Sequence, residues 1–327
     1  MAFRSNISAA PRDEISAAIV EGASLNTQLI WQDVLPPLGL NKRTAHLPKL
    51  TIAGAELNRI IEGLKASGVD YPRMTATIGE FILNPAIRGQ EIGIPLEDEM
   101  DYAHLFSLET FYARQLGQNM LSLTLEYQTA LTIFSTANFG TAENSKVAYT
   151  DALIDTISLV ADILAALNRV RDAGEEPDTV IIPALVLERC SQGKLVKEWV
   201  AGQLAPGSEV TATSLENAIN RQGYQVKVKV GRAMYNSAPK GKKTLTRIWS
   251  NSYIWVGRAG YKNVAGDAGI PILDGVGATA YWESYGLYVG ETYEDKPKDQ
   301  QVVRGKVSGN PTIFNANAGT LIATQYA

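Results

Sequence analysis

The run from Asn236 to Lys243 has the residue types of a phosphate-cradling loop: proline, glycine and lysines in a short span. Such a loop works by pointing backbone N–H groups at phosphate oxygens, with Lys beside them and a hydroxyl on magnesium. The run fails twice. Asn236 stands where the first glycine belongs, and Lys243 where Ser or Thr must hold the metal. It reads instead as a solvated basic loop between strands. Lys240, Lys242, Lys243 and Arg247 lie near Tyr235 and Trp249, a mixture that could stack on and neutralise a nucleic-acid strand. A second group, Glu97, Asp98, Glu99 and Asp101, has two readings. It could hold a divalent cation, or it could complement the positive end of the helix that follows; the second is the simpler.

Other reactive chemistry is scarce. The chain has two histidines, His46 and His104, and one cysteine, Cys190. That is too few for a Cys/His zinc site or an internal disulfide. No Gly-x-Ser-x-Gly elbow occurs, so a nucleophile triad has few candidates. His104 is expected at a surface or in packing, and Cys190 as a small core residue. No catalytic residue, cofactor site or metal site is expected.

Composition narrows the class. Of 327 residues, 45% are hydrophobic and 20% charged, enough for a real core. The net charge of −4 lacks the basic excess by which proteins grip phosphates, so tight nucleic-acid binding is disfavoured. The opening residues lack the basic start and apolar run of a secretion signal, and no apolar stretch reaches bilayer length. The expected setting is a reducing cytoplasm, without membrane partners.

The elements that must position these groups follow from periodicity. Ile15, Ala18, Ile19 and Ala23 recur at helical spacing behind Pro11 and the acidic pair Asp13 and Glu14. An extended arm follows, with Leu29, Ile30, Trp31, Val34 and Leu35; Pro36, Pro37 and Pro48 exclude helix and central strand. So apolar an arm must lie on something. Strand-like stretches over 74–83 and 91–96 read as a ribbon that a neighbouring chain must support if it projects. From about 102 to 134, Leu105, Leu108, Phe111 or Tyr112, Leu116, Met120, Leu123, Tyr127, Leu131 and Phe134 mark a spine helix about 45 Å long. Helix over 151–171, strand over 178–182, a helix opened by a capping box at Thr213 and Glu216, and strands over 224–230 and 246–256 come next. Arm, ribbon and spine each ask for partners that one chain does not supply.

This order of parts resembles the major capsid proteins of tailed phages with the Hong Kong 97-type fold, over nearly the whole chain. The local likeness is carried by Gly174 to Ile182, by Val228 through Gly231 to Ser237, by Ile248 to Asn251, and by the closing Gly319 to Ile322. The resemblance implies an α+β architecture: N-terminal helix and arm (1–50), extended β-hairpin loop (51–97), peripheral domain with the long spine helix (98–146), mixed α/β axial domain (147–260), and strands returning to the peripheral domain (261–327). It implies a non-enzymatic chain that assembles with itself into pentamers and hexamers, forming an icosahedral head around double-stranded DNA.

Trp31, Leu35, Tyr71, Arg73 and Arg88 are the residues expected at contacts between subunits. Implied partners are other copies, a portal, a separate scaffolding protein, possible decoration proteins, and packaged DNA touched only non-specifically. The implied location is the virion, assembled in host cytoplasm. An encapsulin-like bacterial compartment shares the fold, and there the helix around Ile15 would dock cargo. A two-domain enzyme or binding module, compact and with a closed pocket, is the reading from a different class.

Overall fold

In the computed structural model, the structure describes residues 10–52, 76–102, 104–140, 143–144, 149–201, 210–239, 241–263, 273–324 and 326. Apolar faces sort the chain into an outer and an inner body joined by one helical spine. The N-terminal helix, Asp13–Ser24, buries Ile15, Ala18, Ile19 and Gly22. That stripe lies against the spine and against a four-stranded antiparallel sheet. The sheet runs Ala10–Pro11, Tyr288–Asp295, Gln300–Ser308, Ile87–Pro95. Ile94, Val303 and Val307 fill the space between sheet and helices.

The spine is shorter than its periodicity suggests. A separate short helix, Leu96–Tyr102, precedes it. The spine proper starts at Leu108, because the Ser107 hydroxyl caps the Thr110 amide. It runs as α-helix Leu108–Leu116, a π-helical turn Gly117–Leu121 and α-helix Ser122–Ile133. At 1.5 Å per residue, 108–133 spans about 39 Å.

The inner body is a five-stranded sheet. Its order is Glu143–Asn144, Gly319–Ala323, Tyr253–Gly257, Thr179–Pro183, Lys227–Gly231. Thr179–Pro183 is buried throughout, the run of a central strand. Helices Leu159–Asp172, Ala184–Cys190 and Ala212–Asn220 contribute Ile163, Leu167, Val186, Leu215 and Ile219 to its core. Two expected features shift. The 151–171 helix divides into a 3-10 turn, Asp151–Thr156, and the α-helix from Leu159. The capping box sits on Thr211 and Ser214, not Thr213 and Glu216. The Glu216 carboxylate instead accepts from the Val228 amide at 3.0 Å, fastening helix to strand.

The remaining strands also differ from the sequence reading. Tyr288–Asp295 and Gln300–Ser308 pair in the outer sheet, and Gly319–Ala323 pairs in the inner one, beside Tyr253–Gly257. The ribbon pairs Ala45–Ile52 with Ala76–Leu83, whereas Ile87–Pro95 belongs to the outer sheet. Prolines fall where they do no harm: Pro37 opens an edge strand, Pro37–Leu40, and Pro48 lies in the two-stranded ribbon.

Candidate functional site

The arm is not free. Ile30, Trp31, Val34 and Leu35 are all buried within their own chain. Thr279 donates its hydroxyl to the Leu35 carbonyl at 2.9 Å, and Glu126, on the second half of the spine and fully buried, holds the start of the arm. Its Oε2 accepts from the backbone amides of Ile30 (3.0 Å) and Trp31 (2.8 Å), and its Oε1 from the indole Nε1 of Trp249 (2.6 Å). Three segments distant in sequence meet on one carboxylate. Burial raises that carboxyl from 4.5 to about 7; the donors pull against the shift, and nearby Asp33 adds to it.

Trp31 and Leu35, expected between subunits, therefore spend their side chains inside the subunit, since Glu126 turns the arm inward. Arg88 is also engaged locally: it donates to the Gly309 carbonyl (3.1 Å) and the Gln128 side chain (3.4 Å). Tyr71 and Arg73 lie outside the described residues. The start of the Asp13–Ser24 helix is clamped as well. Arg12 donates to Glu109 (2.9 Å) on the spine and to Thr292 (3.0 Å) on the outer sheet. Glycines let the helices close: a Cβ on Gly22 would strike the Arg114 carbonyl, and one on Gly117 the Ile19 carbonyl.

The candidate chemical groups settle into structural roles. The Asn236–Lys243 run is the turn of a hairpin, Met234–Asn236 with Leu245–Arg247. Several of its amides are already taken: Ala238 donates to Asn236 Oδ1, Ser237 to the Thr244 carbonyl and Lys242 to the Pro239 carbonyl, while Asn236 Oδ1 also accepts from Thr244 and Nδ2 donates to the Lys242 carbonyl. Lys240 lies outside the described residues. Tyr235 packs on Tyr127 of the spine, ring centres 5.1 Å apart. Trp249 is buried on Glu126 and offers no stacking face. Glu97, Asp98, Glu99 and Asp101 occupy the Leu96–Tyr102 helix rather than the spine's own first turn. Among the described residues, no group of three or more His, Cys, Asp or Glu is placed to hold a metal.

His46 pairs with Glu80 across the ribbon at 3.1 Å, both exposed. His104 is exposed. Cys190 is buried, its thiol pushed up to about 12 by desolvation. No described helix is long and apolar enough to cross a membrane.

The apolar parts of two surfaces escaped the sequence reading. Met100, Tyr102, Leu105, Phe106 and Phe111 form an exposed apolar shelf at the entry to the spine. The rings of Tyr102, Phe106 and Phe111 succeed one another at 6.2 and 5.8 Å. On the basic hairpin, Met234 and Leu245 are exposed among Arg232, Lys242 and Lys243. Leu105 and Phe111 fit the spine's spacing, so periodicity alone does not mark them as exposed.

No protein-family model matches the sequence, and no curated protein matches it either. Solved structures do. A phage-related protein from Bordetella bronchiseptica RB50 superposes with TM-score 0.67 at 16% identity, covering 96% of this chain and 97% of that one. The capsid of cyanophage P-SCSP1u gives TM-score 0.55 at 11% identity, covering 91% and 89%. The encapsulin SrpI from Synechococcus elongatus PCC 7942 gives TM-score 0.51 at 10% identity, covering 90% and 88%. The chain therefore has the Hong Kong 97-type fold, shared by phage capsid proteins and an encapsulin.

Proposed function

We propose that this chain is a shell-forming subunit, the major capsid protein of a tailed phage, acting through contacts with its own copies and not through catalysis. The observation that carries the reading is the ribbon. Its two strands are eight residues each, and among the described residues they hydrogen-bond to no other strand. Among the described residues the ribbon is anchored at its base, where Leu83 is buried with Leu40, Ala278, Ala280 and Phe314. A ribbon about 26 Å long with a single pairing partner is marginal in water. Laid over a neighbouring subunit, it gains the missing support, and many such weak contacts multiply in a closed array.

On this reading the principal partner is the chain itself; a portal, a separate scaffolding protein and non-specifically held DNA complete the set, in the virion. The encapsulin likeness motivates the second reading, a protein-filled compartment. Electron microscopy of the expressed full chain tests the common part: closed shells support it, and a compact monomer overturns it. The contents of native particles divide the two readings, DNA supporting the phage head and a packaged enzyme the compartment.

A further inference from the structure

Two surfaces of this chain are complementary, and they stand too far apart to meet within one molecule. The first is the shelf at the spine's entry. Met100 is 77% exposed and Leu105 64%, with Tyr102, Phe106 and Phe111 beside them. Contiguous apolar surface of this kind marks a contact site. Its rim is acidic: Glu97, Asp98 and Asp101 are exposed, and none forms an ion pair with another described residue.

The second is the hairpin. Leu245 is 52% exposed and Met234 41%. Arg232, Lys242 and Lys243 surround them, exposed, with Arg247 half-buried; these too form no ion pair among the described residues. The hairpin is a rigid platform, braced internally by Asn236 and seated on the spine through Tyr235 and Tyr127.

The spine sets the separation. The shelf leads into Leu108, whereas the hairpin sits over Tyr127. Those positions are about 28 Å apart along a helix, well beyond the reach of any side chain. From this we infer that the acidic, aromatic shelf of one copy docks on the basic hairpin of the next. The contact joins unlike faces, so it repeats head to tail and closes into a ring when the rotation between copies permits. Apolar side chains form its centre; the opposite charges steer the approach and fix the register. The inference rests on the shell reading above and adds which faces meet inside a ring.

A charge exchange in the full-length chain tests it. One variant carries Asp98→Lys with Asp101→Lys, a second carries Lys242→Glu with Lys243→Glu, and a third carries all four. Sedimentation velocity and electron microscopy at one fixed ionic strength read the assembled fraction. Each one-sided variant is expected to lower that fraction by about tenfold or more through like-charge opposition, and the fourfold variant to restore it. Restoration also shows that the one-sided variants had folded. One-sided variants that assemble like wild type, or a fourfold variant no better than either, overturn the contact while the shell reading stands. A wild-type chain that never assembles overturns both.

Discussion

The Trp249 indole donates its N–H to Glu126 Oε1 at 2.6 Å, and Glu126 Oε2 takes the backbone amides of Ile30 and Trp31. A single buried carboxylate thus ties the arm, the spine and the strand region before Tyr253 into one unit. Donors on both oxygens satisfy it, yet desolvation still favours the proton.

That balance makes stability depend on pH with a definite sign. With a folded-state pKa near 7 against 4.5 for an ordinary glutamate, the native chain holds a proton that the unfolded chain releases. The Glu126 contribution is fully favourable below about 4.5 and is lost as pH rises towards 7, by up to about 3 kcal/mol. Glu126→Gln removes the titration, though its single oxygen no longer serves the amides and the indole together. Urea unfolding of wild type and variant across this range should show a stability difference that drifts with pH. A constant offset between the two curves would refute the assignment.

Gly117 faces the Ile19 carbonyl, so Gly117→Ala forces the N-terminal helix away from the spine. Overpacking against backbone costs about 1–3 kcal/mol, and the thermal midpoint should fall accordingly. Faster amide exchange over residues 13–24 would place the loss there. An unchanged midpoint would mean that the helices slide apart freely.

The ribbon should matter to assembly and not to the fold. Excising residues 49–79 and closing the strands with an Asn-Gly turn keeps Leu83 in its pocket and leaves Ile87–Pro95 in the outer sheet. The expected product is a cooperatively melting chain within about 1 kcal/mol of wild type that forms no closed shell in micrographs. Normal shells from this variant would remove the ribbon from the assembly mechanism.

Cys190 should be silent in the native state. Buried, with its thiol pushed up to about 12, it offers almost no thiolate to a disulfide reagent. Labelling should track global unfolding in denaturant; prompt reaction in buffer would contradict its burial.

Much of the plan was legible in the sequence because it lives in periodicity and breakers. The N-terminal helix, the spine and the buried strand at Thr179 were readable from spacing and breakers. Where the reading slipped, a local competitor won. Ser107 captured the cap and cut the first turns from the spine; Thr211 and Ser214 did the same for the Ala212–Asn220 helix. Strand partners were the harder part. Nothing within 91–96 says that it pairs with Gln300–Ser308, far away in sequence, instead of with its neighbour. Glu126 was hidden for the same reason: as one carboxylate on a helix it looks solvated until the arm and Trp249 close over it. The exposed shelf was masked by its own regularity, since Leu105 and Phe111 keep the beat of a buried stripe.

The π-helical turn at Gly117–Leu121 changes how the spine can be inherited. An added residue in a helix swings everything downstream by about 100°. Leu108, Ala113 and Leu116 before the turn and Leu125 after it aim at the N-terminal helix and outer sheet; Ala130 and Ile133, nearer the C-terminal end, aim at the inner body with Trp249 and Trp255. One continuous rod thus serves two cores, with the π-helical turn lying within the stretch that faces the first of them. Descendants of this chain can therefore vary either core by ordinary substitution, but a one-residue insertion or loss in that turn would misalign both at a stroke.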